Sequence, residues 1–377
     1  MKRNLSVKEI INELQQESLL KRDFVVPSTA LEMVYGQLRL KLPALGGNMP
    51  SILKSLNITT PESTLYVTTP NELCHEHLSE KLKISKNYYD RMKDGHEMLL
   101  GANINYWLDK ERNNYLLRTF VSSDGGHGIA RAFLSNSYKP IDNWDVAITI
   151  LDVIRKHPTI QLQAADITDR KMYMRFEDPT IVHNAPELLQ KYRGGTNDGI
   201  VAGFIISNSE VGEGAFSVAP RAIVLACKNG LTRIEEKMRK VHLGGKMDQG
   251  QIQWSDRTNQ KNLELIQAQA GDAINQWLSK QYLQNLTGWL LDIQSKELEH
   301  PIDCTKNICN ELGLTDNRTE QILKYFISDG DISPFGIAQA ITAAVQDEDN
   351  ADDQYDTESK VFQLVEKYKR FDVVKKK

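Results

Sequence analysis

Gly199–Gly245 reads GIVAGFIISNSEVGEGAFSVAPRAIVLACKNGLTRIEEKMRKVHLGG. Two runs rich in β-branched and apolar residues, Ile200–Asn208 and Ala215–Cys227, flank the glycine-containing loop Ser209–Gly214. Apolar runs on either side of a short turn are typical of a β-hairpin. Asn229-Gly230 is a tight-turn signal and closes the second run. We therefore predict a sheet hairpin that leads into a basic segment.

Two further hairpins are predicted upstream. Tyr115–Ser122 and Gly128–Leu134 flank a Gly-rich turn, and Ile160–Thr168 precedes Lys171–Glu177. Trp144–Lys156, between the hairpins, carries apolar residues at helical spacing. This order predicts an α+β fold, with a mostly antiparallel sheet of hairpins packed with helices.

Helical regions are predicted on both sides of this core. Val7–Lys21 has an amphipathic pattern, and Asn71 and Ser85 are plausible caps of two more helices. Trp254–Glu299 is predicted as one long helix, broken near Leu286-Thr287-Gly288. Asp316–Ser328 and Phe335–Val345 are predicted as two shorter helices.

These patterns divide the chain into five regions. Residues 347–358 carry seven carboxylates and almost no apolar side chain, a composition typical of a solvated linker. The predicted regions are 1–110 (helical N-terminal region), 111–250 (α+β core), 251–346 (helical C-terminal region), 347–358 (acidic linker) and 359–377 (C-terminal helix and basic tail).

Composition limits the classes of function. The chain has 377 residues and a net charge of -4, which argues against a uniformly basic nucleic-acid binder but allows a local basic face. Four cysteines in a chain of this length do not form a disulfide framework and indicate a reducing compartment. We see no signal peptide and no apolar run approaching the ~18 residues of a membrane span. We expect a cytoplasmic protein that does not contact membranes.

The basic segment is the first candidate for a binding surface. Between Lys228 and Lys246 six cations stand against two carboxylates, with His242 in addition. Phosphate contacts dominate nucleic-acid affinity, so this pattern favours DNA or RNA binding. The alternative is a solvated helix face with Glu–Lys pairs. The cations are Lys228, Arg233, Lys237, Arg239, Lys240 and Lys246.

A second candidate lies around the end of the strand Gly128–Leu134. Arg131 and Lys139 are predicted to hold phosphates, and Phe133 and Tyr138 to stack bases. The alternative is that Phe133 is a core residue, that Tyr138 lies at the edge of the core, and that Asp142 or Asn143 caps the next helix.

Two other patterns are weaker. The loop Ser122–Gly128 is Gly-rich enough to hold a phosphate in a nest of N–H groups, but a plain hairpin turn explains it as well. Cys74-His75-Glu76-His77 resembles a metal cluster, but His75 and His77 would point to different sides of a helix. We predict no metal and no cofactor.

Three blocks carry a family resemblance: RAFLSNSYKPIDNWDVAITIL (131–151), GFIISNSEVGEGAFSVAPRAIVLACKNGL (203–231) and SPFGIAQAITAAVQD (333–347). Together they resemble the phage- and plasmid-associated family catalogued as domain of unknown function 932. The resemblance implies mobile elements of a bacterial host, near replication and recombination functions. By analogy only, it suggests kinship with phage single-strand annealing proteins, which form rings or filaments. On this basis we expect a homo-oligomer.

We therefore predict a single-stranded DNA-binding or annealing protein without a covalent reaction, and hence without catalytic residues. Trp254 is an additional candidate for base stacking. The predicted contacts are Arg131, Lys139, Arg221, Lys228, Arg233, Lys237, Arg239 and Lys240 to phosphates, and Phe133 and Tyr138 to bases.

Two alternatives from other classes remain. The first is a nucleotide- or nucleic-acid-processing enzyme that uses Asp124, His127 or Glu210 as acid or base. The second is an anti-defence protein that binds a host factor, with the acidic stretch 347–358 imitating nucleic acid.

Overall fold

The computed structural model describes most of the chain. The described residues are 1–42, 65–122, 127–189, 199–224, 229–232, 237–240, 256–346, 348 and 350–368.

The strands form two sheets, and both contain strands from the N-terminal hundred residues. Their bounds are β1 (Lys2–Leu5), β2 (Lys21–Pro27), β3 (Leu31–Val34), β4 (Gln37–Lys41), β5 (Leu65–Pro70), β6 (Asn114–Phe120), β7 (Gly128–Ser135), β8 (Gln161–Ile167), β9 (Met172–Asn184), β10 (Gly199–Asn208), β11 (Phe216–Val224), β12 (Asn229–Thr232) and β13 (Met238–Lys240).

The larger sheet has seven strands among the described residues, in the order β1-β8-β9-β10-β11-β12, and β13 also pairs with β11. Its pairings are antiparallel. The smaller sheet has six described strands in the order β2-β6-β7-β5-β4-β3. Within it β5 and β7 are parallel and the other pairs are antiparallel.

The α-helices lie before, between and after the strands. Their bounds are α1 (Val7–Leu20), α2 (Glu72–Lys81), α3 (Lys86–Lys93), α4 (Glu97–Glu111), α5 (Asn143–Ile154), α6 (Pro186–Leu189), α7 (Asp256–Trp277), α8 (Lys280–Gln294), α9 (Pro301–Glu311), α10 (Asp316–Asp329), α11 (Pro334–Ala344) and α12 (Ala351–Tyr368). The predicted α+β class, antiparallel sheet and helical segments near both ends are confirmed.

The hairpin predicted from the quoted stretch is β10–β11. Its register runs from Ile200 opposite Val224 to Ser207 opposite Ser217. Every residue of both strands is buried, which explains why these strands read as nearly continuous apolar runs rather than as alternating ones. Gly203 lies where an added Cβ would stand 2.4 Å from the main-chain oxygen of Phe176, so the pairing with β9 requires glycine here.

Helices cover both faces of this hairpin. On one face Phe204 and Val218 pack with side chains of α1, α5 and α7. On the opposite face Ile205 and Ala219 pack with Tyr355 of α12. A third core joins α8–α12 to the residues of β10 and β11 that are farthest from their connecting loop. A fourth core lies between α2–α4 and the smaller sheet. The hairpin is therefore the centre of the molecule rather than an exposed platform.

Local signals in the sequence account for the starts of several helices. Ser6 and Glu9 form a capping box at α1, and the Asn71 side chain accepts a hydrogen bond from the Cys74 N–H at α2. The predicted break at Leu286–Gly288 is wrong, because these residues lie inside α8 and the chain breaks at Leu278–Ser279 instead. The burial of Leu283, Leu286 and Leu290 on one face of α8 outweighs the helix cost of about 1 kcal/mol at Gly288.

Two regional predictions need correction. Region 1–110 contains α1–α4, as predicted, but it also supplies β1–β5, which were not predicted. The acidic stretch is not a solvated linker, since residues 351–358 form the first two turns of α12 and Glu358 is fully buried. No helix among the described residues has the length and apolar character needed to span a membrane.

Candidate nucleic-acid interface

The first predicted base contact, Phe133 on β7, is a core residue. Its ring has no exposed surface, and its centroid lies 4.2 Å from that of Tyr115. A ring enclosed in this way has no face on which a base could stack. The core alternative for Phe133 is the one the structure supports.

Arg131, two residues earlier, is also buried, with 9% of its surface exposed. Its Nη2 lies 2.6 Å from Oε1 of Glu210, and its guanidinium carbon lies 3.9 Å from the ring centroid of Phe120. The buried carboxylate of Glu210 balances the charge of this arginine, and the Phe120 ring adds a cation–π contact. It is not placed to contact a phosphate.

Tyr138 and Lys139 lie in the turn after β7 and are both partly buried. The Tyr138 hydroxyl donates a hydrogen bond of 2.8 Å to the main-chain oxygen of Ser209, and its ring packs against a small apolar cluster that includes Leu134 and Val211. Burial raises the pKa of Tyr138. Tyr138 therefore joins the β10–β11 loop to β7 rather than presenting a ring to solvent.

Glu210, the carboxylate that pairs with Arg131, lies in the loop between β10 and β11 and contacts several other polar groups. It is 2% exposed, and its Oε2 accepts hydrogen bonds from Lys21 Nζ and from the Asn143 N–H, both at 2.9 Å. Burial opposes its ionisation, but Arg131, Lys21 and Arg118 hold the pKa of Glu210 below its ordinary value. The carboxylate is thus a stable anion enclosed by cations.

Arg118, on β6, extends this arrangement. It is fully buried, and its Nη2 lies 2.7 Å from Asp23 Oδ2 and 2.8 Å from Asp142 Oδ1. Its Nη1 donates to the main-chain oxygen of Glu210. These contacts join strands of the smaller sheet to the β10–β11 loop and to the start of α5. We call the set the junction network: Lys21, Arg118 and Arg131 with Asp23, Asp142 and Glu210.

Sequence reasoning did not identify the junction network, although one local signal was present. Arg118 stands within the apolar strand sequence NYLLRTF, where a lone charge must find a partner, and its partner is Asp23. Their pairing depends on β2 lying beside β6, with Asp23 opposite Arg118 in the register. Asp142 occupies the predicted N-cap position of α5, but its side chain makes no cap hydrogen bond there.

Arg221, the predicted phosphate contact on β11, is buried beneath α12. Its Nη1 donates to Gln163 Oε1 at 2.6 Å, and its Nη2 lies 3.8 Å from Oε2 of the buried Glu358. Burial lowers the pKa of Arg221, although Glu358 acts in the opposite direction. This arginine is also part of the interior.

Neighbouring charges complete a second buried cluster. Arg175 pairs with the buried Asp166, and Arg3 Nη2 donates to Gln354 Oε1 at 2.7 Å. We call this set the α12 network: Arg3, Asp166, Arg175, Arg221, Gln354 and Glu358. Two further carboxylates of the acidic stretch have partners within the chain. Asp352 accepts a hydrogen bond from Tyr173, and Asp356 lies 3.2 Å from Lys360.

Two cations of the predicted basic segment lie at the surface of the described structure. Lys237 and Arg239 are exposed beside β11, and Lys240 is the last residue of β13. Nothing is described of the Lys240 side chain, and Lys228, Arg233, Lys246 and Trp254 lie outside the described residues. Within the described part of the chain, neither Lys237 nor Arg239 forms an ion pair.

The residues of the enzyme alternative have different surroundings. His127 is exposed, with its Nδ1 3.0 Å from Gln37 Nε2, whereas Glu210 is enclosed in the junction network. Asp124 lies outside the described residues. An ionised carboxylate surrounded by cations is a poor general base, because its depressed pKa disfavours proton uptake.

The Cys-His stretch forms part of α2. The His75 ring contacts the Tyr89 hydroxyl at 2.8 Å, and burial lowers the pKa of His75 to about 4. His77 accepts from the Phe133 N–H through Nδ1, and its Nε2 lies 3.3 Å from Glu213. Both rings therefore have partners within the protein. Among the described residues no group of three or more His, Cys, Asp or Glu side chains is arranged to hold a metal.

No family model matches this chain, and neither a curated protein nor a solved structure matches it. The resemblance to domain of unknown function 932 therefore stays a prediction, and so does the analogy with annealing proteins.

Proposed function

We propose that the protein binds single-stranded nucleic acid along the edge of the larger sheet formed by β12 and β13. The observation that supports this proposal is the exposure of Lys237 and Arg239. Met238, between them, is partly buried against the core that contains Val218. Because side chains alternate across a strand, Lys237 and Arg239 project away from that core.

The composition of the surrounding segment adds to this argument. Six cations and two carboxylates between Lys228 and Lys246 give a local positive charge in a chain whose net charge is -4. Single-stranded nucleic acid binds such a segment through its phosphates, and the released counterions make the affinity dependent on salt. Four other residues predicted as contacts, Arg131, Arg221, Phe133 and Tyr138, do not belong to this surface.

We propose further that binding serves annealing, recombination or protection of mobile-element DNA in the cytoplasm of a bacterial host, with the protein acting as a homo-oligomer. The support for this context is the family resemblance alone. We propose binding without a covalent reaction.

The test is a fluorescence-anisotropy titration of labelled oligo(dT) at several salt concentrations. Lys237→Glu with Arg239→Glu should weaken binding at least tenfold for every base composition, because phosphates carry no sequence information. The slope of log affinity against log salt should fall by about 1.4, or about 0.7 for each phosphate that the variant no longer neutralises.

A matched control makes the same charge change elsewhere. Lys306→Glu with Lys324→Glu alters two exposed lysines on α9 and α10 and should leave binding within about twofold of wild type, because long-range effects of surface charge are screened by salt. Absence of salt-dependent oligo(dT) binding by the wild-type protein would refute the proposal. Equal losses in the two double variants would refute the assignment to the β13 edge.

A further inference from the structure

A polar cleft of about 500 Å³ opens at the end of the smaller sheet where β6 begins and β7 ends. Lys81 and Lys83 approach it from the end of α2, and Arg112 approaches it from the end of α4. Asn114 and Asn136 also line it. The cleft is separate from both buried ion networks.

Cations predominate in this cleft. Lys81, which pairs with Glu80 at 2.7 Å, Lys83 and Arg112 line it together with one carboxylate, Glu111. Glu111 accepts a 2.9 Å hydrogen bond from Asn113. Lys83 and Arg112 are exposed, and neither forms an ion pair within the described residues. Lysine and arginine beside asparagine amides provide the donors that bind a phosphate oxygen.

The backbone at the two exposed cations is unusual. Lys83 has φ 54° and Arg112 has φ 47°, both in the left-handed region. Each residue follows the last turn of a helix, a position that glycine commonly occupies because it lacks a Cβ. A residue with a Cβ is less stable in this conformation than glycine. Two long cations therefore stand at positions where glycine would be more stable, which points to a role beyond stability.

Exposed aromatic side chains lie on the helix that leads into the cleft. Tyr106 and Trp107 are 56% and 40% exposed, and their ring centroids are 5.2 Å apart at an interplanar angle of 83°. Lys110 Nζ lies 5.6 Å from the centroid of Tyr106. Trp107 precedes Arg112 by five residues, or about 7.5 Å of helical rise. Aromatic rings next to cations are the usual platform for unpaired bases.

We infer that this cleft holds the phosphodiester backbone of single-stranded nucleic acid, with Lys83 and Arg112 on phosphate and Trp107 stacking a neighbouring base. This inference rests on the proposed function and adds a second contact surface, on the smaller sheet. Trp107 is an exposed ring on which a base can stack, whereas the predicted stacking residue Phe133 is buried.

The decisive variant is Lys83→Gly with Arg112→Gly. It removes both cations and relieves both left-handed residues, so thermal unfolding should occur at the same or a higher temperature. Affinity for oligo(dT) should nevertheless fall at least tenfold, and the salt slope should fall by about 1.4. Trp107→Ala should weaken oligo(dT) binding at least fivefold, whereas Tyr325→Ala, at an exposed ring on α10, should leave it unchanged.

The outcomes separate this inference from the proposed function. If Lys237→Glu with Arg239→Glu weakens binding but the double glycine variant binds like wild type, the cleft inference fails and the proposed function stands. If wild type does not bind oligo(dT), both fail. If thymidine monophosphate binds as tightly as oligo(dT) and its binding disappears in the glycine variant, the cleft is a mononucleotide site and the inference is overturned.

Discussion

The junction network and the α12 network both bury arginines, but Arg221 of the α12 network lies farther from its carboxylate than Arg118 and Arg131 of the junction network lie from theirs. In the junction network each cation lies within 3.3 Å of a carboxylate oxygen. In the α12 network Arg221 has a glutamine at 2.6 Å and its carboxylate, Glu358, at 3.8 Å. Accordingly, the pKa of Arg118 is raised by Asp23 and Asp142 against the effect of burial, while burial lowers that of Arg221. The direction in which the pKa of a buried arginine shifts therefore depends on how closely a carboxylate approaches as well as on burial.

The largest effect should come from Glu210→Gln, which leaves Arg131 and Lys21 without their shared carboxylate. Removal of one partner from a buried ion pair costs about 3–5 kcal/mol. We expect the free energy of unfolding to fall by that amount, measured by urea denaturation at pH 7. Glu320→Gln, on the exposed face of α10, removes the same charge and should change the value by less than about 0.5 kcal/mol.

The pH dependence of this difference checks its electrostatic origin. Because the folded pKa of Glu210 is lowered from 4.5, its contribution is present above pH 4.5 and is lost as the pH falls through the folded value. The difference in the free energy of unfolding between wild type and Glu210→Gln should be largest at pH 7 and should decrease as the pH falls below 4.5. A difference that stays constant down to low pH would contradict an ionised Glu210.

Glu358→Gln should have a smaller effect, because the longer contact with Arg221 contributes less. We expect a loss of about 1–3 kcal/mol in urea denaturation, the cost of a buried polar group without its partner. Arg221→Met combined with Glu358→Leu should recover part of it, since apolar side chains of similar volume often replace a buried pair without loss. Glu366→Gln, on the same helix, is the matched control. A double variant less stable than Glu358→Gln would contradict the expectation that apolar side chains can replace this pair.

The smallest effect should come from Tyr173→Phe, which keeps the ring contact with Tyr355 at 4.7 Å but removes the hydroxyl that donates to Asp352. One missing hydrogen bond costs about 0.5–1.5 kcal/mol. Tyr325→Phe, at an exposed ring, should be neutral in the same denaturation experiment. A loss larger than that of Glu358→Gln would mean that the N-terminal turns of α12 depend on Asp352 more than on the buried charges.

Much of the fold was predictable from local patterns. The β6–β7, β8–β9 and β10–β11 hairpins formed where apolar runs flank short turns, and α1 and α5 formed where the spacing is helical. Of the strands that were missed, β1, β2 and β5 pair with the remote strands β8, β6 and β7. The strands β3 and β4 form a local hairpin whose turn at Tyr35-Gly36 was overlooked. The acidic stretch was misread because Asp-rich composition does not show that a helix can bury Glu358 against Arg221.

The candidate site was less predictable than the fold. Arg131, Arg221 and Arg239 all stand in strand segments. Arg131 and Arg221 have apolar neighbours, whereas Arg239 lies in the charged run EEKMRK, but this difference does not identify the partner of a buried arginine. The two that proved buried owe this to carboxylates far along the chain, Glu210 and Glu358. The cleft cations Lys83 and Arg112 likewise follow helices that are separate in sequence and meet only at the end of the smaller sheet.

The sequence by itself determined the α+β class, the central hairpin and the positions of most helices, because turns, caps and periodicity act between near neighbours. The tertiary structure alone decided which charges lie inside. That choice depends on strand register and helix packing, which bring carboxylates to arginines from remote parts of the chain. Lys237 and Arg239 therefore stayed at the surface, while Arg131 and Arg221 became part of the interior beside Glu210 and Glu358.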